Sequence, residues 1–197
     1  FINLSNNNEL VFDSGTYLVN KNILIPEGYR VFINEDTILN FHQDSLFLSY
    51  SPVYFNGTQD KPIILKALNQ YWPGFILINA KEKSKFNNVN IYNVKSINRP
   101  GWISIAGITF YNTNIFLNNC HFKNSYNEDL MGIINSVFEI NNITFENSFS
   151  DSLDIDFSKG LINKADFYNS NNDSLDISGS NVSINYLNIY NAGDKGV

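Results

Sequence analysis

An asparagine returns along this chain on a fixed beat. Asn93, Asn124, Asn147, Asn169 and Asn191 are separated by 31, 23, 22 and 22 residues. A second column, Asn87, Asn118, Asn141, Asn163 and Asn185, keeps the same intervals, so the repeat is a register and not a by-product of composition. Self-similarity at this period marks a solenoid, in which no repeat can bury its apolar face alone and each does so by stacking on its neighbours.

Apolar columns lie between the asparagines. Aligning FNNVNIYN, LNNCHFKN, INNITFEN, INKADFYN and INYLNIYN stacks Phe86, Leu117, Ile140, Ile162 and Ile184. Three places on, Val89, Cys120, Ile143, Ala165 and Leu187 align, and two further on Ile91, Phe122, Phe145, Phe167 and Ile189. The last two columns stand in the period-2 relation of a strand with one face buried, which turns Asn90, His121, Thr144, Asp166 and Asn188 to water. A coil of 22 residues is too long for one strand and lacks helical periodicity, so it holds two or three short strands joined by bends. This pattern predicts an all-β protein, a right-handed single-stranded parallel β-helix. Bends of this kind use the left-handed backbone region, which asparagine tolerates, and stacked amides can hydrogen-bond along the ladder. The asparagines are therefore read as structural.

The helix is expected to run over 1–197 as one domain, with irregular coils over 1–83 and regular ones over 84–197. In the first part, 15–19, 23–28, 29–33 and 37–41 are short apolar runs broken by turn residues. Leu153, Leu175 and Val197 fall 22 apart, so the chain stops where its repeat calls for more strand, and it is expected to be a fragment of a longer helix. Sixteen Phe and 11 Tyr against one Met suit strands filled by aromatic stacks. A net charge of −6 with no cluster of Lys and Arg argues against nucleic acid or an anionic membrane surface as partner. No apolar run approaches the roughly 18 residues of a membrane span. The single cysteine, Cys120, falls in a core column and reads as a small buried hydrophobe.

Segments 53–58, 61–65 and 72–78 resemble the early coils of secreted bacterial β-helix proteins of the pectin-lyase-like fold. The resemblance covers nearly the whole chain in architecture. It implies an extracellular or cell-surface setting, and since such proteins include lyases, hydrolases and adhesins, it leaves the activity open.

One interval exceeds the others by about nine residues, which places an insertion near 94–102. Insertions in a solenoid emerge as loops on one face. Trp102 could then stack on a sugar ring and Arg99 pair with a uronate; alternatively, Trp102 folds back over a gap in the core.

Aspartates concentrate in the later coils. Leu153 and Ile155 inward put Asp154 and Asp156 outward, and Asp176 follows Asp154 by 22 residues as Asp173 follows Asp151. Carboxylates on coils about 4.8 Å apart repel, and either a bound cation or solvent with the hydroxyls of Ser152 and Ser174 would relieve them. The run from Asn171 onward also resembles the polygalacturonase pattern of Asn-Thr-Asp, Gly-Asp-Asp and Gly-His-Gly coils. Asn172-Asp173 matches the first motif and Gly193-Asp194 the second, with Lys195 in place of its second aspartate. Shifted by one coil, Asp151 stands in the first motif and Lys195 where the histidine belongs. Either register lacks part of the set, and His42 and His121 do not complete it. A similarity to calcium-assisted polysaccharide lyases of the same fold implies a Ca²⁺ held by Asp151, Asp154, Asp173 and Asp176, with Lys195 as base beside Asp173 and Asp194. The leading expectation is an extracellular β-helix that recognises polysaccharide along its long face. The alternatives are a calcium-assisted uronan lyase and a structural stalk or adhesin.

Overall fold

In the computed structural model the described residues are all but Phe1, Asn6 and Pro100, with the backbone alone described for Asn98, Arg99 and Trp102. The chain winds into a parallel β-solenoid of about eight turns. Among the described residues there is no helix, hence none long and apolar enough to cross a membrane.

Each turn carries three faces, and each face stacks on its own kind. The first face runs from Glu9–Phe12 through Arg30–Asn34, Val53–Asn56 and Ser84–Asn87 to Asn181–Ile184. The second runs from Gly15–Val19 through Thr37–Phe41, Ile63–Ala67 and Val89–Lys95 to Leu187–Ala192. The third begins at Ile23–Ile25, passes Phe47–Ser49, Phe75–Ile78, Ala106–Tyr111, Asp129–Ile134 and Leu153–Asp156, and reaches Leu175–Ser178. In two middle turns the first and second faces join as continuous strands, Ile115–Tyr126 and Val137–Ser148. Ile2–Leu4 pairs antiparallel with Glu9–Phe12 and covers the edge of the first face.

The register is the one the asparagine beat requires. Leu117 pairs with Ile140 and Ile140 with Ile162; Phe122 pairs with Phe145 and Phe145 with Phe167. Phe145 and Phe167 are fully buried, their rings 5.0 Å apart and inclined by 6°. The short apolar runs of the first third are strands as expected, at Gly15–Val19, Ile23–Ile25, Arg30–Asn34 and Thr37–Phe41. A second aromatic stack fills the core there, from Phe12 to Phe47 at 6.1 Å and Phe47 to Phe75 at 4.9 Å. Trp72 is fully buried on Phe41 and donates its indole N–H to the Tyr92 carbonyl at 3.0 Å, which satisfies its one polar atom. Coils pack so closely at Gly74 that a Cβ there would fall 1.7 Å from the Gly107 carbonyl oxygen.

The insertion is a β-hairpin. Asn98–Arg99 pairs antiparallel with Trp102–Ile103, and the hairpin leaves between the second and third faces. At its base Ile97 is 2% exposed and packs on Leu46, Leu48 and Ile76, outside the main core. The hairpin stem thereby covers apolar side chains on the outer side of the third face. The side chains of Arg99 and Trp102, the expected sugar contacts, lie outside the described residues.

Candidate functional site

Thirteen of the 15 described non-glycine residues with positive φ are asparagine, so the residue is used first for its backbone. The column Asn93, Asn124, Asn147, Asn169, Asn191 has φ between 58° and 62° throughout. Its amides form an unbroken ladder: each Nδ2 donates to the Oδ1 of the preceding coil, at 2.7, 3.1, 3.0 and 2.9 Å. The column Asn87 to Asn185 also bonds between coils, through Asn118 to Asn87, Asn163 to Asn141 and Asn185 to Asn163. It is interrupted at Asn141, which donates to Glu139, and its members are not left-handed. The left-handed position is the next one, Asn88, Asn119 and Asn142.

These positions frame the second face. Asn88 and Asn93, Asn119 and Asn124, and Asn142 and Asn147 stand five apart, each pair left-handed at both ends. Between them two side chains per coil point outward. One outward column reads Asn90, His121, Thr144, Asp166, Asn188 and the other Tyr92, Lys123, Glu146, Tyr168, Tyr190.

Across several coils this face and its corners form an open groove of about 720 Å³, lined by residues that include Asn88, Asn119, Asn142, His121, Thr144, Glu146, Tyr168 and Asn169. The Asn142 amide donates to Asn119 at 2.8 Å and the Asn88 amide to the Gly57 carbonyl at 2.9 Å. At the centre, Glu146 accepts from the Lys123 ammonium at 2.7 Å and lies 3.2 Å from His121 Nε2. The Lys123 bond holds the Glu146 carboxyl below its usual range, and burial lowers the His121 pKa against the pull of Glu146. At neutral pH the groove therefore presents an ionised Glu146 and a neutral His121. Tyr92 meets the His121 ring edge-on, and Tyr168 stacks on Tyr190 at 4.8 Å and 3°. His121, which lies in a different coil row from the aspartate motifs and does not complete them, is part of a cluster of its own. The outward columns held the signal, since Glu146 follows His121 by one coil and two residues.

The aspartates sit elsewhere, at the corner before the third face and on that face. Asp129, Asp151, Asp173 and Lys195 stack at one position in successive coils. Asp129 accepts the Asp151 N–H at 3.0 Å, Asp151 the Asp173 N–H at 2.9 Å, and Asp173 the Lys195 N–H at 2.8 Å. Asp151 also accepts from the Asn172 amide at 2.7 Å. Each carboxylate is therefore a cap on the next coil's backbone. Ser152 and Ser174 do not serve the aspartates: they are fully buried in a hydroxyl chain Ser148–Ser152–Ser170–Ser174, with oxygens 2.7, 2.7 and 3.1 Å apart.

Asp154 and Asp176 are paired rungs on the outer side of the third face. Burial, then the carboxylates of Asp156, Asp129, Asp176 and Asp151, push Asp154 up to about 7; burial pushes Asp129 up to about 6. Among the described residues no three His, Cys, Asp or Glu side chains come together in a way that could hold a metal ion. Asp151 and Asp173, two of the four aspartates expected to hold Ca²⁺, each give an oxygen to a backbone N–H of the next coil. Lys195 is exposed and its ammonium bonds Asp194 at 3.3 Å. That bond raises its pKa, whereas a lysine base requires it lowered. His42 lies apart, 3.8 Å from Asp44.

The chain matches no protein-family model, no curated protein and no solved structure.

Proposed function

We propose that this β-helix binds polysaccharide, lying along the second face between its asparagine corners, in an extracellular or cell-surface setting of the kind the pectin-lyase-like resemblance implies. The observation that carries this reading is the spare hydrogen-bonding capacity of the ladders. A carboxamide has two donors and two acceptor lone pairs. In the unbroken column stacking consumes one of each at Asn124, Asn147 and Asn169, so these rungs keep one donor and one acceptor apiece, repeated at the coil spacing of about 4.8 Å. A chain of hydroxylated rings presents donors and acceptors at a regular interval, as this array does. Tyr168 and Tyr190, 37% and 49% exposed, add a flat, rigid, amphipathic surface for a sugar face.

The test is calorimetric titration with soluble polysaccharides, comparing the native chain with Tyr168→Ala. Removing the ring should weaken binding about tenfold while the fold persists, because the side chain lies outside the core. Equal affinity of the two proteins would mean that the polysaccharide does not lie on Tyr168 in the groove.

A further inference from the structure

The same groove specifies the charge of its ligand, and we infer that it selects neutral glycans and rejects uronans. This rests on the glycan reading above. Among the described residues lining the groove, Glu146 is the one carboxylate; no Lys or Arg is in that lining, and Lys66 and Lys123 stand beside it in the second face's outward column. The nearest cation, Lys123, is held at 2.7 Å by Glu146 itself. Lys164, on the neighbouring coil, is held at 3.1 Å by Asp166. A uronate lying across these coils would meet an ionised carboxylate whose counter-ion is already engaged, in a chain whose net charge is −6. Like charges brought together in this way act as an element of rejection.

A neutral hexose or pentose chain meets no such penalty. Its hydroxyls can donate to Glu146, and a hydrogen bond to an ionised acceptor is stronger than one between neutral groups. Thr144 and the ladder amides complete a lining that offers both donors and acceptors without charge. Glu146 is thus the specificity-determining residue, and Lys123 acts through it by holding the carboxylate ionised and in place. The selection is opposite to that of a calcium-assisted uronan site, where fixed positive charge draws the acidic sugar in.

A panel of immobilised oligosaccharides, with neutral β-glucan, mannan and xylan chains beside oligogalacturonate and oligomannuronate, tests this. The native protein should bind at least one neutral chain and bind both uronans at least about tenfold more weakly. Glu146→Gln keeps the side-chain shape and releases Lys123, so uronan binding should rise about tenfold and neutral binding should fall. Raising salt on the native protein should narrow the gap by improving uronan binding alone, a readout that needs no variant. Uronan binding equal to or tighter than neutral binding would overturn the inference and leave the glycan reading standing. No binding to any chain would overturn both.

Discussion

The left-handed residue that recurs at many of the bends is the smallest unit on which the molecule depends. Asparagine fills it because its short amide relieves the strain that a Cβ creates there and bonds to the neighbouring coil. Asn147→Ala should lose both benefits and destabilise the fold by about 2 kcal/mol, whereas Asn147→Gly keeps the backbone freedom and should cost about 1 kcal/mol. Denaturant titration of the two variants separates the terms, and equal costs would show that the amide ladder contributes nothing. Phe157 is the exception that shows the rule. It continues the corner of Asn79, Asn112 and Asn135, whose amides bond at 2.8 and 3.3 Å, yet carries φ of 48° with its ring 71% exposed. Replacing it with asparagine should extend that ladder and raise stability by about 1 kcal/mol; an unchanged unfolding midpoint would refute the strain. This third ladder was not legible in the sequence, because it has three members at unequal intervals and then passes to phenylalanine and Gly179. The regular columns were legible because five members repeat an interval that composition cannot imitate.

At the scale of the element, the third face and its preceding corner carry Asp129, Asp151, Asp154, Asp173 and Asp176, and the protonation of Asp154 couples to folding. Burial, then its acidic neighbours, push Asp154 up to about 7 in the folded chain from the ordinary 3.8. Between those values the folded state holds more protons than the unfolded one, so this stabilisation is complete below about 4 and is lost as pH rises through 7. The full shift would amount to about 4 kcal/mol; partial exposure reduces it to about 2 kcal/mol. Melting temperatures of the native chain should therefore fall more steeply between pH 4 and 7 than those of Asp154→Asn, and parallel profiles would contradict the burial of that carboxyl. Sequence spacing placed Asp154 over Asp176 and Asp151 beside Asp173 correctly, since a period of 22 fixes which residues stack. It could not show whether an oxygen would face a cation or a backbone N–H. That depends on bend geometry within one or two ångströms, which a spacing does not encode. The insertion follows the same division: nine extra residues announced an excursion, but its antiparallel pairing and the cover Ile97 gives to Leu48 and Ile76 required the fold.

At the scale of the whole molecule, stacking turns single residues into surfaces. Two outward positions per coil become two columns, and with the left-handed corners on either side they make the groove around His121 and Glu146. Function read from motifs looked at the aspartates, where chemistry is commonly sought. The groove instead uses side chains that are unremarkable one at a time and informative only in register. If a glycan lies along the second face, as proposed, the side-chain amide resonances of the asparagine ladders will report it. On titration with the neutral oligosaccharide bound most tightly, the Nδ2 signals of Asn119, Asn142 and Asn169 should shift together. Those of Asn79, Asn112 and Asn135, on the corner between the third and first faces, should stay in place. Shifts confined to that other corner, or uniform across all the ladders, would mean that no glycan lies along the second face.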